Sequence, residues 1–301
     1  MNTYITLDAA HKYLTLASQS TEDDELIKSL MFNASRSVDH FTRRKFYPRL
    51  ETRFYDFRDS KQLKVDDDLL SVYALKTQNG ACTIASGVMW LAAGDSWNHT
   101  PYDRVILQDT SGSQLYYSNN PQRSQELTAF WGYHENYSEA WVDTGTSLAN
   151  NYAASAGTIS LAGAGSAGTG SSDVQGVSPR ISVGDLLKMG DQLFYVIGGD
   201  TSGNASVVVT PYVNGTHTAS VVTGGSYPSG TSIAKFAPEP DIVWATKRLT
   251  AWMYGQKDSP FFQKQAAFQF GLLEIAEQWP VDVKERLTRF VRRTIQIYPS
   301  N

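Results

Sequence analysis

The side chains with the most obvious chemistry in this 301-residue sequence are five histidines, one cysteine and a run of three aspartates. Their spacing does not assemble them. His11, His40, His99, His134 and His217 include no pair at the i, i+4 spacing by which an H-E-x-x-H helix offers two imidazoles to zinc. His134-Glu135 is expected beside a strand end, in a solvated loop. Asp66-Asp67-Asp68 lacks the alternate ligand positions, central glycine and distal glutamate of a calcium loop, and reads as a charged turn between strands. A single cysteine, Cys82, excludes an intrachain disulfide framework and a cysteine-rich zinc site. Within Ala81-Cys82-Thr83-Ile84 it is expected to be a small buried hydrophobe. There is no G-x-S-x-G elbow and no P-loop, and no carboxylate pair stands out for hydrolysis. The expectation is a protein with no catalytic residues, no cofactor and no metal.

Two basic features remain. Arg43-Arg44-Lys45 suits the C-terminal end of a helix dipole. Lys284, Arg286, Arg289, Arg292 and Arg293 cluster near the end of the chain, either as a solvated face or opposite an acidic partner surface or phosphates. Trp244, Trp252, Tyr254, Phe261, Phe262, Phe268 and Phe270 are dense for so short a helical segment, and some are expected to bury against neighbouring subunits.

These groups must be positioned by three kinds of segment. Residues 6–46 have helical spacing. Thr6 is placed to cap a short helix, and Thr21-Glu22-Asp23-Asp24 resembles a capping box. Ile27, Leu30, Met31, Ala34, Val38 and Phe41 then form an apolar stripe that Pro48 is expected to end. Residues 50–142 carry strand candidates at 53–57, 62–65, 69–76, 81–85, 104–107, 114–117 and 126–131, separated by turn signals such as Asn79-Gly80. Residues 239–301 return to helix. Ile242, Ala245, Leu249, Trp252 and Met253 form one stripe, and Phe262, Ala266, Phe270, Leu273 and Ala276 a second. Pro280 opens a helix carrying Val283, Leu287, Phe290 and Val291.

Between these lies a block of different composition. Residues 143–237 hold 16 of the 23 glycines but only 8 of the 56 charged side chains. Residues 145–178 are nearly low-complexity and read as loop-like. The rest alternates short strands with glycine turns, as a small barrel or sandwich does. The net charge of -4 gives no basic field for nucleic acid. No basic n-region with an apolar run opens the chain, and no stretch is long and apolar enough to span a bilayer. A soluble protein made in a reducing cytoplasm is expected.

The order of these elements resembles the head–tail connector (adaptor) family of tailed bacteriophages. The resemblance is carried by Tyr4-Ile5-Thr6-Leu7-Asp8, the acidic-capped helix, Thr42-Arg43-Arg44-Lys45-Phe46-Tyr47-Pro48 and Thr52-Arg53-Phe54-Tyr55-Asp56. Asp67-Asp68-Leu69-Leu70-Ser71-Val72, Trp131-Gly132-Tyr133 and Pro240-Asp241-Ile242-Val243-Trp244-Ala245-Thr246 complete it. It covers about 1–142 and 239–280. It implies an α+β fold: a helical adaptor core, residues 1–142 and 238–301, with a small antiparallel β-element. An inserted all-β domain, residues 143–237, interrupts that core.

The family's activity is structural. Several copies, commonly twelve, form a ring that joins the portal protein to the next neck or tail protein and lets DNA pass without sequence-specific binding. The location implied is the virion neck, with no membrane. Arg43, Arg44, Phe46, Tyr47 and Pro48 would belong to the core motif, and Arg286, Arg289, Arg292, Arg293, Ile297 and Tyr298 to a portal-facing surface. Residues 181–236 resemble, more weakly, a small β-domain of phage tail and neck proteins. Pro211-Tyr212-Val213 stands where that pattern usually has a basic residue and glycine before the Asn-Gly-Thr turn. The alternative from another class is a virion-surface binding or decoration module. In it the inserted domain would recognise a host glycan through Tyr195, Tyr212 or Tyr227.

Overall fold

The computed structural model describes residues 3–15, 23–93, 100–153, 157–162, 181, 185–190, 192–199, 206–211, 226–256 and 279–292. The protein is α+β. It divides into a helical unit, residues 1–44 and 239–301, and a β unit, residues 45–238. Among the described residues the first holds α1 (Leu7–Tyr13), α2 (Asp24–Thr42), α3 (Pro240–Gly255) and α4 (Val281–Thr288).

In the helical unit, the Thr6 hydroxyl accepts the Ala9 N–H at 3.2 Å and starts α1. At α2 the N-cap position falls to Asp23. Asp23 occupies the cap position without a side-chain cap bond, and its carboxylate accepts the Tyr254 hydroxyl of α3 instead; Thr21 and Glu22 lie outside the described residues. Helix α2 stops before Pro48, because Arg43 turns left-handed at φ 54°. Its buried stripe is Ile27, Met31, Ala34 and Val38. Ile27 and Met31 join Ile5 and Ala10, with Val243 and Tyr254 of α3 packed against them. The stripe expected at Phe262–Ala276 lies outside the described residues.

The β unit contains two sheets, the second of them closed into a barrel. The first runs β1-β6-β2-β5-β4, with β3 on β2, all antiparallel: β1 (Arg49–Tyr55), β2 (Gln62–Thr77), β3 (Cys82–Ile84), β4 (Met89–Ala92), β5 (Tyr102–Leu107) and β6 (Gln125–Trp131). Leu63, Leu69, Leu75, Val105, Leu107, Leu127 and Trp131 form its core. Three expectations change here. Residues 62–65 and 69–76 are one strand whose register slips between Lys64 and Leu69, so Asp66-Asp67-Asp68 lies inside β2 and is not a turn. Residues 114–117 are not a strand, and Met89–Ala92 is one that the pattern did not signal. Cys82 is exposed, because β3 is a three-residue edge strand paired only with β2.

The slip in β2 has a use. It brings Asp66 and Asp67 over β1, where Arg53 reaches Asp67 at 3.0 Å, Arg49 reaches it at 3.3 Å and the Tyr55 hydroxyl donates to Asp66 at 2.8 Å. Arg53 also lies 3.9 Å over the Trp131 ring. Burial alone would raise the Asp67 carboxyl pKa. The Asp68 N–H and the Arg53 and Arg49 guanidiniums outweigh it and hold the group below the usual carboxylate range.

The second sheet is a closed barrel ordered β10-β11-β8-β7-β12-β9. Its strands are β7 (Trp141–Leu148), β8 (Thr158–Ala162), β9 (Leu186–Met189), β10 (Gln192–Gly199), β11 (Ser206–Pro211) and β12 (Ser232–Phe236). Two-residue alternation fills it: Leu187 and Met189, Phe194 and Val196, Val207 and Val209 are buried together, while Val208 between the last two is exposed. Parts of the stretch expected to be loop-like, at 145–148 and 158–162, are therefore barrel strands; residues 163–178 lie outside the described residues.

An aromatic belt joins sheet to barrel. Phe236 lies 5.2 Å from Trp141, 5.5 Å from Tyr47 and 5.9 Å from His134, and Tyr137 bridges Trp141 and Phe130. Burial pushes the Tyr137 hydroxyl pKa well up. One glycine is required here. Gly132, at φ 148°, follows β6 so closely under Tyr47 that an added Cβ would stand 2.6 Å from the Tyr47 carbonyl oxygen.

Candidate functional site

The basic C-terminal helix is amphipathic by its spacing. Val283 and Leu287, with Phe290 just beyond the helix, are buried, while Asp282, Lys284, Glu285 and Arg286 carry charge on its other positions. Those charges are not all free. Arg286 donates to Asp241 of α3 at 3.0 Å, and Arg289 donates to the other oxygen of the same carboxylate. The Arg286 guanidinium lies 4.3 Å over Trp244, and Arg248 pairs with Asp282 at 3.2 Å. Asp241, Trp244, Asp282, Glu285, Arg286 and Arg289 line a groove of about 640 Å3 between α3 and α4. The surface expected to be basic is therefore mixed in sign. Sequence reasoning missed Asp241 as the shared acceptor. The available signal was an acid in the first turn of α3 facing two arginines three residues apart.

Arg292 is held through its backbone, whose N–H donates to the Thr42 carbonyl at 2.9 Å. Arg44 reaches the same region: its Nε donates to the Phe290 carbonyl at 2.8 Å. Arg293, Ile297 and Tyr298 lie outside the described residues. Of the expected portal-facing set, the structure brings together Arg286 and Arg289.

The core-motif residues do not form one site. Arg43 caps α2 and Arg44 clamps Phe290, both within the helical unit. Phe46, Tyr47 and Pro48 are buried in the β unit. Phe46 meets Tyr133 edge-on at 5.6 Å, and the Lys45 carbonyl accepts the Tyr133 N–H at 2.8 Å. These three residues are packing residues.

The other candidates resolve similarly. His134 is buried and not solvated as expected. Its Nε2 is 3.2 Å from the Ala237 carbonyl oxygen and its Nδ1 accepts the Asn136 N–H at 3.0 Å, a pair that requires the proton on Nε2. Tyr195 is buried, and Tyr227 packs against the barrel core under Gly190; Tyr212 lies outside the described residues. Of the three rings of the barrel's expected glycan platform, Tyr195 is thus buried and Tyr227 partly buried. The exposed aromatic side chains are Tyr13, Phe54, Tyr73, Trp90, Tyr116 and Tyr117 among the described residues, five of them in the sheet and its loops. No group of three or more His, Cys, Asp or Glu side chains is placed to hold a metal among the described residues. No described helix is long and apolar enough to cross a membrane.

No family model, curated protein or solved structure matches this chain.

Proposed function

We propose that the chain is a structural subunit of a phage neck, a head–tail connector whose copies ring the DNA channel between the portal protein and the next neck or tail protein. The observation that carries this reading is the helical unit. Helices α1 and α2 from one end of the chain and α3 and α4 from the other pack as one body, with residues 45–238 between them. That is the element order of the adaptor resemblance. A ring subunit uses two different side surfaces, and closure gives cyclic symmetry. The net charge of -4 suits a channel that DNA must cross without sticking. In this reading the four helices and the sheet of β1–β6 belong to the adaptor core, the barrel of β7–β12 is the inserted domain, and the chain has no catalytic role.

The portal-facing surface is the α3–α4 groove and the tail beyond it. The test is to add the purified protein to purified portal and image the mixture by negative stain, where an added ring layer at one end of the portal is expected. Truncation after Arg292 should weaken this binding while leaving the melting curve unchanged. A cut after Arg289 is unsuitable, because Phe290 is buried and its carbonyl accepts from Arg44. Failure of the full chain to bind any portal or neck protein refutes the reading.

A further inference from the structure

We propose that His134 is a pH-sensitive clasp at the mouth of the barrel, tying the segment that enters it to the segment that leaves it and letting go as the ring gains a proton. The clasp lies within the β unit and is independent of the neck reading.

The chain enters the barrel through residues 132–140, between β6 and β7, and leaves it at Ala237, just after β12. Entry and exit share one end of the barrel, because Trp141 at the start of β7 pairs with Phe236 at the end of β12. His134 sits between them. It is buried, and its ring meets Phe236 edge-on at 5.9 Å. Both ring nitrogens carry backbone hydrogen bonds. Nε2 donates to the Ala237 carbonyl at 3.2 Å, and Nδ1 accepts the Asn136 N–H at 3.0 Å. Ala237 is tied a second time, by its own N–H to the Ala140 carbonyl at 2.8 Å. Asn136 organises the entry turn. Its carbonyl accepts the Glu139 N–H at 3.2 Å, and its side-chain oxygen accepts the Ser138 hydroxyl at 2.8 Å. One imidazole thus fixes both the turn that leads into β7 and the residue that follows β12.

This arrangement uses the neutral ring. A neutral imidazole has one donor and one acceptor, whereas the imidazolium has two donors. A proton at Nδ1 would stand against the Asn136 N–H, donor facing donor across 3.0 Å. Either the ring or the Asn136 peptide must then turn, and each movement gives up a hydrogen bond. The acceptor role of Nδ1 sets the sign. The clasp holds at the upper end of the imidazole range and opens as pH falls through it, from about pH 8 to 5. The entry segment also carries Tyr133, Glu135, Tyr137 and Glu139, with both acids exposed. Beside the exit, Lys235 pairs with Asp185 at 3.5 Å, and Lys188 lies 5.3 Å over the Trp141 ring. Glu239 follows two residues after Ala237. Carboxylates ordinarily titrate near about pH 4, and tyrosines and lysines above the imidazole range. Glu239 is the neighbour that an experiment must separate from His134.

The test is amide hydrogen exchange of the full chain at about pH 7.5 and about pH 5, corrected for the intrinsic rate, in peptides covering 133–140 and 233–238. Exchange there should rise about tenfold at the lower pH, while peptides covering 69–75 of β2 stay unchanged. His134→Gln keeps a donor and an acceptor but cannot gain a proton, so its corrected exchange should be the same at both pH values. Glu239→Gln should respond as the wild type does. A wild-type rate that does not change with pH overturns the proposal. So does a His134→Gln variant that responds like wild type, or a Glu239→Gln variant that loses the response. If His134→Gln does not fold, the carbon-13 shifts of labelled wild-type histidine decide the matter. The Nε2–H tautomer is then expected at about pH 7.5, and a His134 that is cationic there while residues 133–140 stay protected overturns the proposal.

Discussion

The barrel contains one charged pair whose removal has a calculable effect. Lys235 of β12 stands opposite Leu187 of β9, and Asp185 lies just before β9. The Lys235 Nζ is 3.5 Å from an Asp185 oxygen, and the two side chains are 8% and 7% exposed. Replacing the lysine by methionine keeps much of the volume and takes the cation away from a buried carboxylate. Breaking such a pair costs about 3–5 kcal/mol. Replacing both partners, Lys235→Met with Asp185→Leu, removes the uncompensated charge, and pairs replaced in this way are often neutral or more stable. The readout is amide hydrogen exchange in peptides covering β9 and β12, because local opening follows the stability of the strands concerned. Lys235→Met alone should speed exchange there by roughly two to four orders of magnitude, if the whole cost falls on local opening. The double variant should return close to wild type, giving a large coupling term in the cycle. Exchange in the single variant within about threefold of wild type would refute the argument. So would a double variant less stable than the sum of the two single ones.

Gly132→Ala should lower stability by about 1–3 kcal/mol or more, read as a drop in denaturation midpoint, since its Cβ would press on the Tyr47 carbonyl. Asp67→Asn should flatten the acid limb of the stability curve. The depressed folded pKa contributes stability above the unfolded carboxylate value of about 3.9. That stability is lost as pH falls through the lower folded value, and melts between pH 7 and 2 would show the difference. Asp241→Asn should change folding stability by less than about 1 kcal/mol, because Arg286 and Arg289 are largely solvated. On the neck reading, the same change should strengthen low-salt binding to an acidic portal face by releasing two guanidiniums. A binding assay at two ionic strengths decides it.

Much of the fold was legible because periodicity reports burial. The α2 stripe and the strands at 104–107 and 126–131 follow from which face must leave water. What was not legible depended on partners distant in sequence. Residues 114–117 have strand composition, yet Tyr116 spends its backbone groups on the side chains of Thr77 and Gln125 instead of a ladder. Asp66-Asp67-Asp68 looks like a turn until Arg49 and Arg53 of β1 are seen to hold it within a strand. Arg43 ends α2 by adopting a left-handed conformation that an arginine does not advertise. At the candidate site the arginines were visible and their neutralisation was not, because Asp241 lies 45 residues before Arg286.

The division at residues 44 and 239 also governs how the chain comes to be folded. The apolar stripe of α2 leaves the ribosome before the β unit, while its partners Val243 and Tyr254 follow only after the whole of residues 45–238. At about 5–20 residues per second, that interval lasts roughly 10–40 s. Both β-sheets can form within it, since each pairs strands within its own stretch of chain. The helical unit must wait, with Ile27 and Met31 covered at most by Ile5 and Ala10 at the α1 end. Its formation comes after both sheets have been synthesised, and the waiting α2 stripe is where a chaperone or premature self-association would find the nascent protein.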